Sequence, residues 1–485
     1  MTPTRVVGLS LDSTVTKMND YHSKPKLWLL PIVLSLLSSA QPLVSQQTPR
    51  QDTLHISITE AVTQALQKSE EIAAARAMVD RAASQITQAT SAALPQLTGN
   101  LTYNRAIKTI FDGIEFGAPP GDSAANGADD PFADLPFGRP NNYIASLQLS
   151  QLLFAGGTVG AARRIARHFR TAAEDQYLEA ESELTLQVRL AYLNAVAAQS
   201  LNEIAIQSKE VSQAHLSQVE SFHQAGTASE FDLLRAQVDF ENRDPAVVQT
   251  ANAAELAQLE LKRLVNIPAN RPVVLTTQEG PDMIDVDELT LSPLVEERPA
   301  LHAARENVLM RQAAISAYNG QRFPSIRLSG NLGFHGFPSS VAPPGYNDWR
   351  KDWWIALGVN WTIFSGLRIN GEVAQARAEL DQAEAEEAQL KEGLEVALAA
   401  AMAEYRMARA QIQARQQTEI LAERALELAD SRFANGLSTQ LEVSDAQLLL
   451  DEARVNRVQA MYDYIRALAQ LERLSGGRLQ LLRFP

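Results

Sequence analysis

Two stretches of this 485-residue chain, 158–225 and 368–435, each run for 68 residues without a proline. Gly160 is the single glycine of the first, and Gly371 and Gly393 are the glycines of the second. A run of this kind reads as one continuous helix, roughly 100 Å long at 1.5 Å rise per residue. A compact domain cannot hold such a helix, so the usual expectation of about three globules for this length does not apply. Leu390, Leu394, Leu398 and Ala401 put leucine and alanine on one apolar seam, which suits close helix packing.

The two stretches belong to a duplication. Leu152-Leu153-Phe154-Ala155-Gly156-Gly157 matches Thr362-Ile363-Phe364-Ser365-Gly366 at an offset of 210 residues. The same offset relates Ala225-Gly226-Thr227 to Asn435-Gly436-Leu437, Asp232 to Glu442, Ala236-Gln237 to Ala446-Gln447, and Leu261-Lys262-Arg263-Leu264 to Leu471-Glu472-Arg473-Leu474. Upstream the offset becomes 229, relating Ile72, Ala75, Arg76 and Val79 to Leu301, Ala304, Arg305 and Val308. The extra residues fall in 112–140, a Gly-, Pro- and acid-rich segment that reads as a long exposed loop. The expected organisation is a leader at 1–45, a first repeat at 46–265, a linker at 266–295, a second repeat at 296–476 and a short tail at 477–485.

Each half also carries two alternating segments. In 353–363, Trp353, Ile355, Leu357, Val359, Trp361 and Ile363 occupy the odd positions; in 326–334, Ile326, Leu328, Leu332 and Phe334 occupy the even ones. Segments 97–103 and 143–149 alternate in the same way. Period 2 over about ten residues fits a membrane β-strand and a half-buried soluble strand equally. If these strands enter lipid, four cannot close a barrel and an open edge cannot face hydrocarbon. Closure then requires several chains. Three copies supply 12 strands, whereas two supply 8, too narrow for a channel once side chains fill it.

Lys24 and Lys26 precede the apolar run Leu27-Trp28-Leu29-Leu30-Pro31-Ile32-Val33-Leu34, and small residues follow up to Ala40 and Ser45. This is the layout of a secretory signal, so the chain is expected to be exported. Its removal takes four basic residues (Arg5, Lys17, Lys24, Lys26) and two acids (Asp12, Asp20), moving the net charge from −14 to −16. The acidic balance argues against nucleic-acid binding. The chain has no cysteine, which excludes disulfides, thiolate metal sites and a lipidated-cysteine anchor. The seven histidines show no metal-ligand spacing, and neither a phosphate loop nor a nucleophile elbow is present. The expectation is no enzyme, no cofactor and no metal.

The paired Leu94-Pro95-Gln96-Leu97 and Phe323-Pro324-Ser325-Ile326 strand starts, the Phe-Ala-Gly-Gly and Phe-Ser-Gly exits, and the duplicated glycine turns together resemble the TolC-type outer-membrane efflux proteins. The resemblance covers the chain from Ile56 to Ser475. It implies a mainly α fold with a membrane β-barrel: a homotrimer whose 12-stranded β-barrel in the outer membrane continues into a 12-helix periplasmic α-barrel. It also implies partners, namely outer-membrane lipid, a periplasmic adaptor (membrane fusion) protein, and an inner-membrane pump or secretion ATPase. The implied function is a passive exit duct of a tripartite efflux pump or type I secretion system. The competing reading is an exported, soluble coiled-coil scaffold or adaptor.

The resemblance assigns roles to particular residues. Ala225, Gly226, Thr227, Asn435, Gly436 and Leu437 form the tips that meet the adaptor; without a partner they are plain helix–helix turns. Glu442 and Asp445 take the places of the acids that ring the periplasmic aperture, although the family's better-known example carries aspartate at both places. Asp232 would belong to the latch holding the tip shut. Acids in a first helical turn are also favoured by the helix dipole alone. Tyr103, Tyr143, Phe334, Trp353 and Trp361, with Trp349 and Trp354, suit an aromatic girdle at the membrane interfaces or ordinary sheet packing.

Overall fold

The computed structural model describes residues 53–108, 139–277, 286 and 295–475. The expected leader, nearly all of the acidic loop, the tail beyond residue 476 and part of the linker lie outside the described residues. In chain order the elements are β1 (Leu54–Ile56), α1 (Ile58–Lys68), α2 (Glu70–Ser91), β2 (Gln96–Arg105), β3 (Asn141–Ala155), α3 (Thr158–Gln224), α4 (Glu230–Glu241), α5 (Arg243–Leu264), β4 (Val273–Leu275), α6 (Pro299–Gly320), β5 (Ser325–Gly336), β6 (Arg350–Asn360), α7 (Arg368–Ala434) and α8 (Gln440–Leu474).

The two long helices are continuous and 67 residues each, as their lack of proline requires. Small side chains line their buried faces: Ala161, Ala166, Ala173 and Ala195 on α3, and Ala376, Ala383, Ala401, Ala408 and Ala422 on α7. The shorter helices are interrupted at two places. At Ser69 the backbone is extended, and its hydroxyl accepts the Glu71 N–H to start α2. Between α4 and α5, Pro245 lacks the N–H that would reach back to residue 241, so a new helix begins at Arg243. The start of α1 is held by reciprocal bonds between Ser57 and Glu60, which also keep the exposed Glu60 carboxyl below its ordinary pKa.

The main core clusters around the midpoints of the long helices. Tyr192, Tyr405 and Tyr464 are fully buried there with Val188, Leu261, Leu468 and Leu471. Tyr192 donates to the Ile56 carbonyl at 3.0 Å and accepts the Thr277 N–H at 3.0 Å. It thereby pins the short parallel pair β1–β4 against α3.

The other four strands form one antiparallel sheet in the order β2-β3-β5-β6. Its register puts Leu97, Leu101, Leu147, Leu332, Trp353, Ile355, Leu357 and Val359 on one face. Asn100, Ser146, Gln148, Ser329, Asn331 and Asp352 lie on the other. The apolar face is bare: Leu101 is 77% exposed, Trp353 70% and Ile355 68%. The last strand differs from expectation. It covers 350–360 rather than 353–363, because its partner β5 begins at Ser325, opposite Asn360. Trp361 lies just past the strand and donates its indole N–H to the Arg322 carbonyl at 3.1 Å.

Glycines make the junction of sheet and helices possible. A Cβ on Gly156 would sit 2.1 Å from the Gly320 carbonyl oxygen, so β3 meets the end of α6 backbone to backbone. Beyond it, Gly157 takes φ +81°, and its counterpart Leu367 takes φ +67°, a conformation costly for leucine.

Candidate functional site at the tips of the long helices

Both long helices end in the same turn. Gly226 and Gly436 adopt φ +77° and +70°, the left-handed conformation that lets the chain reverse. In the first turn the Thr227 N–H donates to Phe222 O at 2.8 Å and the Gly226 N–H to His223 O at 2.9 Å. In the second, the Leu437 N–H donates to Arg432 O at 2.8 Å and the Gly436 N–H to Phe433 O at 2.9 Å. Ala225, Gly226, Thr227, Asn435, Gly436 and Leu437 are all exposed.

The three acids singled out by position stand in different settings. Asp232 closes a capping box: its carboxylate accepts the Ser229 hydroxyl at 2.6 Å and the Ser229 N–H at 3.2 Å. Its side chain is thus engaged in starting α4. Glu442 and Asp445 sit three residues apart near the start of α8, both exposed. The Arg432 guanidinium lies 3.9 Å from Glu442.

Sequence reasoning missed what lies behind the tips. Asp451 on α8 is buried and accepts three donors: Ser208 Oγ of α3 at 2.7 Å, Arg243 Nη1 of α5 at 2.5 Å and Gln447 Nε2 at 2.8 Å. Ser444 Oγ donates to Asp239 Oδ2 of α4 at 2.9 Å. These bonds tie the α3–α4–α5 side to α8 across more than 200 residues of sequence. One faint signal was available, the duplicated Ala-Gln pair. Ala236 and Ala446 are both buried, but of the glutamines only Gln447 is, because only it meets Asp451.

Beside this cluster α3, α4, α5, α7 and α8 enclose an open cleft of about 550 Å³, lined by His215, Arg235, Asp239, Arg243, Asp430 and Asp445 among others. Burial holds the His215 imidazole below its ordinary pKa, against the opposite pull of Asp430 and Asp239. Burial also raises the Asp430 carboxyl, against the pull of His215. Among the described residues, no group of three or more His, Cys, Asp or Glu stands close enough to hold a metal ion.

The aromatic residues fall at two levels of the sheet. Tyr103 and Tyr143 are register partners with ring centroids 4.6 Å apart at the end away from the helices. Phe334 and Trp353 lie on the same face near that end, whereas Trp361 lies at the helix end. Tyr103 donates to Asn141 Oδ1 at 2.8 Å, and Tyr143 to the Val341 carbonyl at 2.5 Å.

No helix among the described residues is long and apolar enough to cross a membrane. The chain is similar to the protein CyaE of Bordetella pertussis, 27% identical over 274 residues, which are 56% of this chain and 57% of that one. It is also 23% identical to the outer membrane protein TolC of Vibrio cholerae over 433 residues, 86% of this chain and 90% of that one. The fold matches the crystal structure of the Campylobacter jejuni CmeC outer membrane channel with a TM-score of 0.70 at 19% identity, covering 87% of this chain and 85% of that one. The sequence model described as outer membrane efflux protein matches residues 61–266 and 290–477. With most of its length inside that match, the chain belongs to the outer membrane efflux protein family.

Proposed function

We propose that three copies of this chain assemble into an exit duct that crosses the outer membrane and reaches through the periplasm toward an inner-membrane transporter. The observation that carries this reading is the four-stranded sheet, with a bare apolar face and unpaired edges at β2 and β6, mounted on two helices of roughly 100 Å. Unpaired backbone groups are not tolerated in hydrocarbon, so the edges must be met by other chains. Three sheets give 12 strands, an even number suited to a channel. In this assembly residues 46–265 and 296–476 act as two equivalent halves joined through 266–295, after loss of the leader 1–45.

The exposed turns at Ala225-Gly226-Thr227 and Asn435-Gly436-Leu437 are the surface for a periplasmic adaptor, which links the duct to a pump or secretion ATPase. Glu442 and Asp445, exposed and three residues apart on one helix, form the acidic ring of the periplasmic aperture. Asp232, engaged in its capping box, supports the tip by ordering α4 rather than by bonding across it. Tyr103, Tyr143, Phe334 and Trp353 mark the outer interface of the membrane, and Trp361 the inner one. A soluble scaffold would have no use for an apolar sheet face of this size in water. Purification from outer-membrane fractions, native mass measurement and planar-bilayer recording test the proposal together. Trimers that open defined conductance steps are expected; recovery in the soluble periplasmic fraction would overturn it.

A further inference from the structure

Near the tip the α3 side meets the α7–α8 side through polar bonds and through a cluster of rings. His215 projects from α3 onto α7, its ring centroid 5.4 Å from that of Phe433, which in turn stands 5.7 Å from Phe222. Its Nε2 is buried without a hydrogen-bond partner. The charged groups around it are Arg235 and Asp239 on α4, Arg243 on α5, Asp430 on α7 and Asp445 on α8. Arg243 is occupied by Asp451, and Asp239 accepts from Ser444.

We infer that His215 is a proton-responsive contact whose protonation loosens the packing of α3 against α7 at the tip of the duct. The neutral ring fits its place, flat enough to pack on Phe433 and able to leave Nε2 bare at modest cost. A second ring proton would need an acceptor at Nε2, and a cation there would lose its hydration beside the Phe433 ring. The attraction of Asp430 and Asp239 offsets this only in part, since the net effect of the site is to oppose the charged form. A histidine held neutral by its packed state stabilises that state above its ordinary pKa and withdraws the stabilisation as pH falls. Asp430 works the other way: its raised pKa means that acid relieves a cost of burying its carboxylate. The response therefore belongs to His215.

The inference deepens the aperture reading and rests on it for its meaning, but its test does not. The chain has no cysteine, so Gln213→Cys on α3 with Ala425→Cys on α7, both at exposed positions, can carry spin labels in the intact protein in lipid nanodiscs. The shortest label–label distance should be narrow at about pH 7.5, and a longer population should rise at least about threefold by about pH 5. His215→Gln, polar but not titrating, should hold the narrow distance at both pH values. Asp430→Asn, which removes an attracting charge, should move the transition to lower pH and provides the test if His215→Gln fails to assemble. An unchanged wild-type distribution, or a His215→Gln protein that responds as wild type does, overturns the inference. Bilayer conductance recorded alongside separates the two readings: a spacing change with no conductance change rejects the aperture, not the proton contact.

Discussion

Ile355 is the sixth of the eleven residues of β6, on the bare apolar face and 68% exposed. Eleven residues at about 3.4 Å rise, tilted by about 45°, cover roughly 26 Å of the membrane normal, which is the height of a lipid-facing apolar band. Ile355 then lies near the bilayer midplane. Ile355→Arg should cost about 2–4 kcal/mol per chain, or about 6–12 kcal/mol for three chains. Ala356→Arg, one residue on, points to the polar face shared with Asn331 and Asp352 and should cost no more than about 0.5 kcal/mol. If the sheet faced water on both sides, the two substitutions would be equally tolerated. The assay is the urea midpoint for folding into lipid vesicles, with the heat stability of the trimer on gels as a second readout. An Ile355→Arg protein as stable as Ala356→Arg would refute the membrane assignment of this face.

Other substitutions test the helical end. Asp451→Ala leaves the Arg243 guanidinium and the Ser208 hydroxyl without their acceptor and should lower stability by about 3 kcal/mol, whereas Arg243→Met with Asp451→Leu should recover most of it; denaturant midpoints decide. Leu367→Gly relieves a left-handed leucine, as Gly157 does in the first half, and should raise stability by about 0.5–1 kcal/mol after the flexibility of glycine in the unfolded chain is counted; a lower melting temperature would contradict it. Glu442→Ala with Asp445→Ala should abolish block of the conductance by divalent cations, and unchanged block would remove these residues from the aperture.

As a family member built for the outer membrane, the chain carries its architecture in short-range signals. Continuous helices follow wherever Pro is absent for 68 residues, turns follow at Gly226 and Gly436, and strands follow from alternation at Leu97–Tyr103 and Trp353–Val359. Each is decided by backbone geometry within a few residues, and the duplication shows the decision made twice. Local breaks were less legible. Ser69 interrupts a periodic helix because its hydroxyl caps a new one, and nothing in the period announces that.

The tertiary structure decided the rest. Only it places β3 beside β5 to gather Leu97, Leu101, Leu147, Leu332, Trp353, Ile355, Leu357 and Val359 on one face, and brings Gly156 onto Gly320 at a backbone contact that any side chain would block. Only it shows that Asp232 spends its carboxylate on a cap, while Asp451, unremarkable in sequence, gathers Ser208 from 243 residues away. His215 likewise reads as an isolated histidine until α7 lays Phe433 and Asp430 beside it. Helix and strand periods are properties of neighbouring residues, but the charge, burial and partners of a side chain are set by whatever the folded chain brings next to it.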